Sequence, residues 1–307
     1  MRFTLFTPVF NRAHTLDRVW RSIRSQSFRD FEWIAVDDGS TDGSLAQLEE
    51  YRRTANFPMT VIRSAENRGK HVAWNAAVGV ARGELFVPCD ADDEFDPDAL
   101  ERFAQTWAQL TDDERASASG INVLCRDAQT SKIVGTAFPS SPMWSNNLDL
   151  FYRHRVTGEK WGCIRADLLR TLRFPETPGY FGESRLWYAL ARTHRVLCLN
   201  VPLRTYFRDQ PGSLTAGTPR RERLPAMFEY AVWHLRENWD CIRLRPVRAL
   251  GEGSNVFMRG YLIGKTTAEI NAKLAGTAAR KFSPVFAVIG AVRAWRIRRV
   301  WSVARQT

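Results

Sequence analysis

Short apolar runs and segments with helical periodicity alternate through the first hundred residues of this chain. The apolar runs lie at 3–7, 31–36, 59–63 and 84–88, and the helical segments between them at 13–26, 42–53 and 70–81. Strands that alternate with helices predict parallel strands joined by right-handed crossovers. We therefore predict a doubly wound, Rossmann-like α/β sheet that is mostly parallel, with ligands bound beyond the carboxyl ends of its strands.

The pattern is sparser after Pro97. It predicts helices from there to about residue 110, at 166–172 and at 183–193, paired strands at 119–138, a polar loop at 139–160 and strands at 195–201 and 203–208. Residues 209–219 have the Gly- and Pro-rich composition of a linker. We therefore predict an α/β domain at 1–208, a linker at 209–219 and a helical, basic tail at 220–307.

Charge and cysteine content limit the partners and the compartment. A formal net charge of +11 is typical of proteins that bind phosphorylated ligands, anionic lipid or nucleic acid. Nucleic acid ranks last, because the basic residues concentrate in the tail and no nucleic-acid motif accompanies them. Five scattered cysteines without a CxxC pair indicate reduced thiols. With no apolar run of roughly 20 residues and no signal-like start, we expect a cytoplasmic protein.

Acidic clusters follow two of the predicted strands. They read Asp37-Asp38-Gly39 and Asp90-Ala91-Asp92-Asp93. Alternate carboxylates on an extended turn can face one divalent cation, and Mg²⁺ or Mn²⁺ held this way can also take diphosphate oxygens. The alternative is a solvated acidic turn that caps the next helix.

A basic turn, Asn67-Arg68-Gly69-Lys70, precedes the third predicted helix. A helix N-terminus with two cations beside it suits phosphate oxygens. Basic turns of this kind are also common on protein surfaces with no ligand, so this turn alone decides little.

Taken in order, these segments resemble glycosyltransferase family two. The resemblance rests on Pro8-Val-Phe-Asn-Arg12, Val36-Asp-Asp-Gly-Ser-Thr-Asp42, the Asn67–Lys70 turn and Gly83-Glu-Leu-Phe-Val-Pro-Cys-Asp-Ala-Asp-Asp93. It covers residues 2 to about 208 and is dense over 3–103. It implies a GT-A fold, an inverting reaction, a nucleotide-sugar donor and a divalent metal.

The resemblance also implies roles for individual residues on the donor side. Donor binding falls to the residues Pro8, Phe10, Asn11, Arg12, Asp38, Arg68, Lys70, Asp90, Ala91 and Arg208. Among them Asp38 would contact the base and ribose. Asp92 and Asp90 would hold the metal, with Asp90 also near the sugar or ribose of the donor.

On the acceptor side, the resemblance makes Glu183 the base that deprotonates the acceptor hydroxyl. Many relatives carry an aspartate at the next position, where this chain has Ser184. A first-turn helix acid is the alternative role of Glu183. Trp161 and Trp187 are acceptor-side candidates, and a core position for Trp161 is an equal alternative.

The tail combines basic and apolar residues in a pattern typical of interfacial helices. Its charges and aromatic or aliphatic neighbours are Arg280, Lys281, Arg293, Trp295, Arg296, Ile297, Arg298, Arg299, Val300, Trp301 and Arg305. Such a helix can dock on an anionic membrane without crossing it. The alternatives are a packed helical appendage and a contact between copies of the chain in a homo-oligomer.

The resemblance implies an inverting glycosyltransferase, and the basic tail suggests that it acts at the cytoplasmic face of a membrane. UDP is the favoured donor nucleotide and a lipid-linked or polysaccharide chain the favoured acceptor. The alternative from another class is a non-catalytic member that binds a nucleotide-sugar or scaffolds an assembly complex.

Overall fold

The computed structural model describes residues 1–176, 182–207 and 221–303, without the side chains of 302 and 303. Arg208, the predicted linker at 209–219 and Arg305 lie outside these ranges. The described residues form two compact units. The first comprises 1–176 and 186–207, and the second comprises 182–185 and 221–303.

The first unit contains one mixed sheet. Its strands are β1 (Phe3–Val9), β2 (Phe31–Asp37), β3 (Met59–Arg63), β4 (Leu85–Pro88), β5 (Glu94–Phe95), β6 (Ala118–Asp127), β7 (Met143–Ser145), β8 (Lys160–Arg165) and β9 (Arg195–Tyr206). Their order is β3-β2-β1-β4-β8-β6-β9-β5, and β7 pairs with β9.

Strands β1 to β4 are parallel to one another, as the alternating pattern predicts. The next neighbour, β8, is antiparallel to both β4 and β6, whereas β6 and β9 are parallel. The prediction of paired strands within 119–138 is confirmed only in part: Arg126 at the end of β6 forms an antiparallel bridge with Ile133, but the long partners of β6 are β8 and β9. The predicted loop at 139–160 also contains β7 and a π-helical turn, Asp149–Arg153.

Helices cover the sheet in the first unit. They are α1 (Leu16–Arg24), α2 (Ser44–Thr54), α3 (Lys70–Val80), α4 (Ala99–Gln109), α5 (Asp112–Ser117), α6 (Ala166–Thr171) and α7 (Ser184–Ala191), of which α7 begins in the second unit. In α1 the apolar spacing predicted from the sequence is the buried face, and Trp20 stacks on Trp33 of β2 with ring centroids 5.8 Å apart. All five cysteines are free.

The second unit is helical, as predicted for the tail. Its helices are α8 (Leu224–Glu237), α9 (Trp239–Ile242), α10 (Pro246–Leu262), α11 (Thr267–Lys273) and α12 (Ser283–Val303). α11 begins with a capping box in which Thr266 and Glu269 exchange hydrogen bonds with each other's backbone. Within the described ranges, no helix is both long enough and apolar enough to cross a bilayer.

Candidate active site

Three segments of the first unit meet at the carboxyl edge of the parallel strands. β1 lies between β2 and β4, and its register places Val9 opposite Asp37. The segments that follow these three strands begin at Phe10, Asp38 and Cys89. Because adjacent parallel strands end at one edge, the candidate donor-binding residues of all three segments lie together there.

The segment after β1 is tied to the segment after β2. Asn11 has a φ of +53°, a left-handed conformation that asparagine tolerates better than most residues. Its Oδ1 accepts a hydrogen bond from the Thr41 backbone N–H at 2.8 Å, and its own N–H donates to Ser40 Oγ at 3.0 Å. Asn11 thus shapes the loop, while the neighbouring Phe10 keeps 39% of its surface exposed.

The Asp38 carboxylate holds the basic turn in place. It accepts hydrogen bonds from the backbone N–H groups of Arg68 at 2.9 Å and Gly69 at 2.6 Å. The turn passes so close that a Cβ on Gly39, whose φ is +74°, would lie 2.6 Å from a backbone carbon of Glu66. Asp38 therefore positions the N-terminus of α3, a contact the sequence did not indicate.

Asp90 lies between two cations. Its Oδ1 is 2.8 Å from Lys70 Nζ, and its Oδ2 is 2.9 Å from Arg204 Nη2. Burial alone would raise the pKa of Asp90, but the charges of Lys70 and Arg204 hold it well below its usual range. Each oxygen of Asp90 is thus paired with one cation, so the charge of this predicted metal ligand is already balanced.

Asp93 shares the guanidinium of Arg204 with Asp90. The Arg204 side chain is buried in β9, and Asp93 also accepts a hydrogen bond from the Phe207 N–H at 3.2 Å. Burial raises the pKa of Asp93, and the charges of Asp90 and Asp92 act in the same direction against that of Arg204. Arg204 is therefore the central cation of the acidic turn.

Asp92 has a different environment from its neighbours. Its carboxylate makes a loose ion pair, 4.0 Å to Arg12 Nε, and 24% of the side chain is exposed. Arg18 contacts the backbone carbonyl of Asp92, at 2.5 Å, instead of the carboxylate. Burial and the charge of Asp90 raise the pKa of Asp92, so its charged form would gain from a further cation nearby.

These carboxylates fit a divalent metal whose remaining coordination positions are filled by a bound ligand and water. Across the described ranges, no three His, Cys, Asp or Glu side chains form a cluster able to hold an ion. Mg²⁺ in phosphate-binding sites takes one or two carboxylates and fills its other positions with phosphate oxygens and water. Asp92, with its open carboxylate and raised pKa, suits that arrangement, and Ala91 beside it is buried.

Three site residues were missed in the sequence. Arg204 is a charge within an apolar strand, and that contrast with Leu203 was the available signal. Arg18 lies 3.7 Å from the ring centroid of Phe207, while its Nη1 reaches Asp92. Glu176 accepts a hydrogen bond from Arg68 at 2.9 Å, and nothing in its sequence context indicated this contact.

Trp161 lies in the core, so its predicted stacking on an acceptor sugar was wrong for this structure. Residues 160–165 form β8 at the centre of the sheet, and Trp161 is only 3% exposed. Its indole N–H donates to the Pro88 carbonyl at 2.6 Å, and its ring packs on Phe95 and Phe103. Trp187 is half-buried and meets Trp74 edge to face at 6.1 Å.

Glu183 precedes α7 and is half-buried in the second unit. The hydroxyl of the adjacent Ser184 lies 2.5 Å from the Tyr230 hydroxyl, in the same unit. Arg185 stacks over Trp233 at 5.1 Å from the ring centroid. The start of α7 is thus anchored to α8, and Ser184 has a structural partner where a carboxylate would otherwise stand.

Comparison with known proteins agrees with this architecture. A family model described as glycosyl transferase family 2 matches residues 4–161. The chain is similar to a Campylobacter jejuni protein named GalNAc(5)-diNAcBac-PP-undecaprenol beta-1,3-glucosyltransferase, 24% identical over 71% of this chain and 69% of that protein. It spans only 54%, 33% and 14% of the length of three further curated relatives.

Two solved structures share the fold. Residues 1–349 of Staphylococcus aureus TarS, in complex with UDP-GlcNAc, superpose with a TM-score of 0.66 at 20% identity, covering 100% of this chain and 92% of that one. A mannosyltransferase of Pyrobaculum calidifontis, in complex with GDP-Man and Mn²⁺, gives 0.52 at 19% identity, covering 96% and 87%. The fold is therefore GT-A with a helical C-terminal region.

Proposed function

This chain belongs to glycosyl transferase family 2, and from that membership we propose that it transfers one sugar with inversion from a nucleoside diphosphate to an acceptor hydroxyl. In a single displacement the acceptor oxygen bonds to the anomeric carbon. The bond from that carbon to the diphosphate breaks, and its electron pair leaves with the diphosphate. The acceptor proton passes to a base.

The unequal pairing of Asp90 and Asp92 is the observation that carries this proposal. Asp90 is neutralised by Lys70 and Arg204, whereas Asp92 has only a loose contact with Arg12. We assign Asp92 as the protein ligand of Mn²⁺ or Mg²⁺, and Asp90 as the group that orients Lys70 beside the donor phosphates. When bound, the metal would neutralise charge on the departing diphosphate.

The nucleoside would bind where the loops after β1 and β2 meet. Phe10 offers an exposed ring beside a loop that Asn11 fixes, and Asp38 holds the neighbouring turn. UDP is the favoured nucleotide, in line with the UDP-GlcNAc bound by TarS. GDP is the alternative, because the similar mannosyltransferase binds GDP-Man.

Glu183 is the proposed base. As a half-buried carboxylate at the start of α7, it would accept the acceptor proton. Ser184 does not take part in this step, since its hydroxyl is paired with Tyr230.

A lipid-linked or polysaccharide acceptor and a position at the cytoplasmic face of the membrane complete the proposal. The Campylobacter relative is named for an undecaprenol-linked acceptor. The basic tail, with no acidic residue after Glu269, suits an anionic surface.

Nucleotide-dependent stabilisation tests the donor site. We expect one of UDP, GDP, CDP and dTDP to raise the melting temperature of the full chain only when Mn²⁺ is present. A nucleotide at a hundredfold excess over its Kd would add about 2.7 kcal/mol to the free energy of unfolding. Asp92→Asn should lose this gain, because its amide is a weaker ligand for a hard cation.

Asp113→Asn is the matched control, since Asp113 is an exposed acid in the first turn of α5. It should respond to the nucleotide as the wild type does. If Asp92→Asn were stabilised equally well, Asp92 would not be the metal ligand. If no nucleotide stabilised the folded wild type, the donor site would be refuted, and a scaffold role would account for the chain better.

A further inference from the structure

Helix α12 packs one face into the second unit. The buried residues on that face follow helical spacing and are Ser283, Phe286, Gly290 and Ala294. A Cβ added to Gly253 of α10 would lie 2.5 Å from the Phe286 ring, and one added to Gly290 would lie 2.6 Å from Phe257. Helices α10 and α12 are therefore in close contact, and the inner face of α12 is buried within the second unit.

The opposite face of α12 exposes an apolar stripe. It consists of Val285, Val288, Val292 and Trp295, with exposures of 49%, 68%, 49% and 56%. Their spacing of three, four and three residues aligns them along one side of the helix. A helix on the surface of a soluble unit normally has polar residues there, so this outward stripe calls for a partner.

Basic residues surround the stripe. Lys281 precedes α12 in the chain, and Arg296 and Arg299 of α12 lie at and beyond the end of the stripe. The Arg299 guanidinium lies 4.9 Å from the centroid of the Trp295 ring. Because no acidic residue follows Glu269 in the sequence, this face of α12 carries positive charge only.

We infer that the outward stripe of α12 docks on an anionic lipid surface. Valines and a tryptophan flanked by arginines match the boundary between acyl chains and negative headgroups. The stripe runs from residue 285 to 295 and is about 15 Å long at 1.5 Å per residue. That is about half the thickness of the hydrocarbon layer, so the helix lies in the plane of the membrane.

A second copy of the chain is a poorer partner for this stripe. Two such faces would bring Lys281, Arg296 and Arg299 of each copy together, and like charges oppose association. Anionic lipid instead complements each arginine. The inference rests on the proposed location at a membrane, but the residues that carry it all belong to the second unit.

Vesicle co-sedimentation of the full chain tests this surface. We expect binding to vesicles of phosphatidylcholine with phosphatidylglycerol and none to phosphatidylcholine alone. Val288→Gln with Trp295→Gln should weaken binding by about tenfold or more, through lost apolar burial. Arg296→Gln with Arg299→Gln should weaken it by about 25-fold, at about fivefold per charge.

Arg52→Gln with Arg53→Gln is the matched control, since these arginines are exposed on α2 and the change in net charge is the same. This variant should bind vesicles nearly as the wild type does. The inference would be overturned if the wild type did not bind anionic vesicles, or if the α12 variants bound them as tightly as the wild type does. It would also be overturned if the Val288 and Trp295 changes only dissociated a dimer. Nucleotide stabilisation measured on the same variants reports on the donor site separately.

Discussion

Glu183→Gln is expected to lower turnover by about 10²–10⁴-fold, because glutamine keeps the shape of the side chain but cannot accept the acceptor proton. Nucleotide-dependent stabilisation should persist in the same variant, since the proposed donor ligands belong to other segments. The loss should therefore fall on kcat and leave the affinity for the donor nucleotide unchanged. Steady-state kinetics and thermal unfolding on one preparation measure both quantities.

A merely structural Glu183 predicts a different result. An acid in the first turn of a helix contributes about 0.3–1 kcal/mol through the helix dipole. Its replacement would lower the melting temperature slightly and leave turnover intact. Glu101→Gln is the matched control, because Glu101 is a first-turn acid of α4 that bonds Ser27, and it shows the size of that stability effect.

Retained turnover in Glu183→Gln would exclude Glu183 as the base. Turnover that is absent even in wild type, with nucleotide binding intact, would instead support a non-catalytic, nucleotide-sugar-binding role for this chain.

Arg204→Met should destabilise the first unit by about 3–5 kcal/mol, the usual cost of leaving a buried ion pair with one partner. The change removes the cation shared by Asp90 and Asp93. Lys70 still pairs with Asp90, so the loss falls mainly on Asp93, whose carboxyl must then take up a proton or stay buried as an unpaired charge. Denaturant unfolding of wild type and variant gives the difference directly.

Adding Asp93→Leu to Arg204→Met should recover most of the lost stability, because the buried charge then disappears with its partner. Arg195→Met controls for a lost arginine at the exposed end of the same strand. A double variant as unstable as Arg204→Met alone would show that the loss comes from packing rather than from the charge of Asp93.

The sequence predicted the first four strands and the site edge well, because both depend on local patterns. The apolar runs and the carboxylates that follow them fall within about a hundred residues, and each strand pairs with a parallel neighbour. The arrangement around Asp90 was harder to foresee, since Arg204 lies 114 residues further along the chain. The local periodicity of apolar residues does not predict which distant charged residue will pair with a carboxylate.

Two other features depend on tertiary contacts as well. Trp161 looked available for stacking because the run around it was not recognised as β8, a central strand buried on both faces. The Asp38 carboxylate accepts hydrogen bonds from the backbone of the basic turn because the turn passes close to Gly39, where a side chain would not fit. Neither the core packing of Trp161 nor the hydrogen bonds of Asp38 can be predicted from the residues next to them in the sequence.

The distance between Asp90 and Arg204 has a consequence for biosynthesis. At about 5–20 residues per second, the ribosome needs about 6–23 s to add the 114 residues that separate them. For that time the nascent chain carries the acidic turn without its buried cation, and β6 lacks its parallel neighbour β9. The stretch at 4–161 that matches the family thus lacks both β9 and Arg204, and Asp93 is made long before the buried cation that pairs with it.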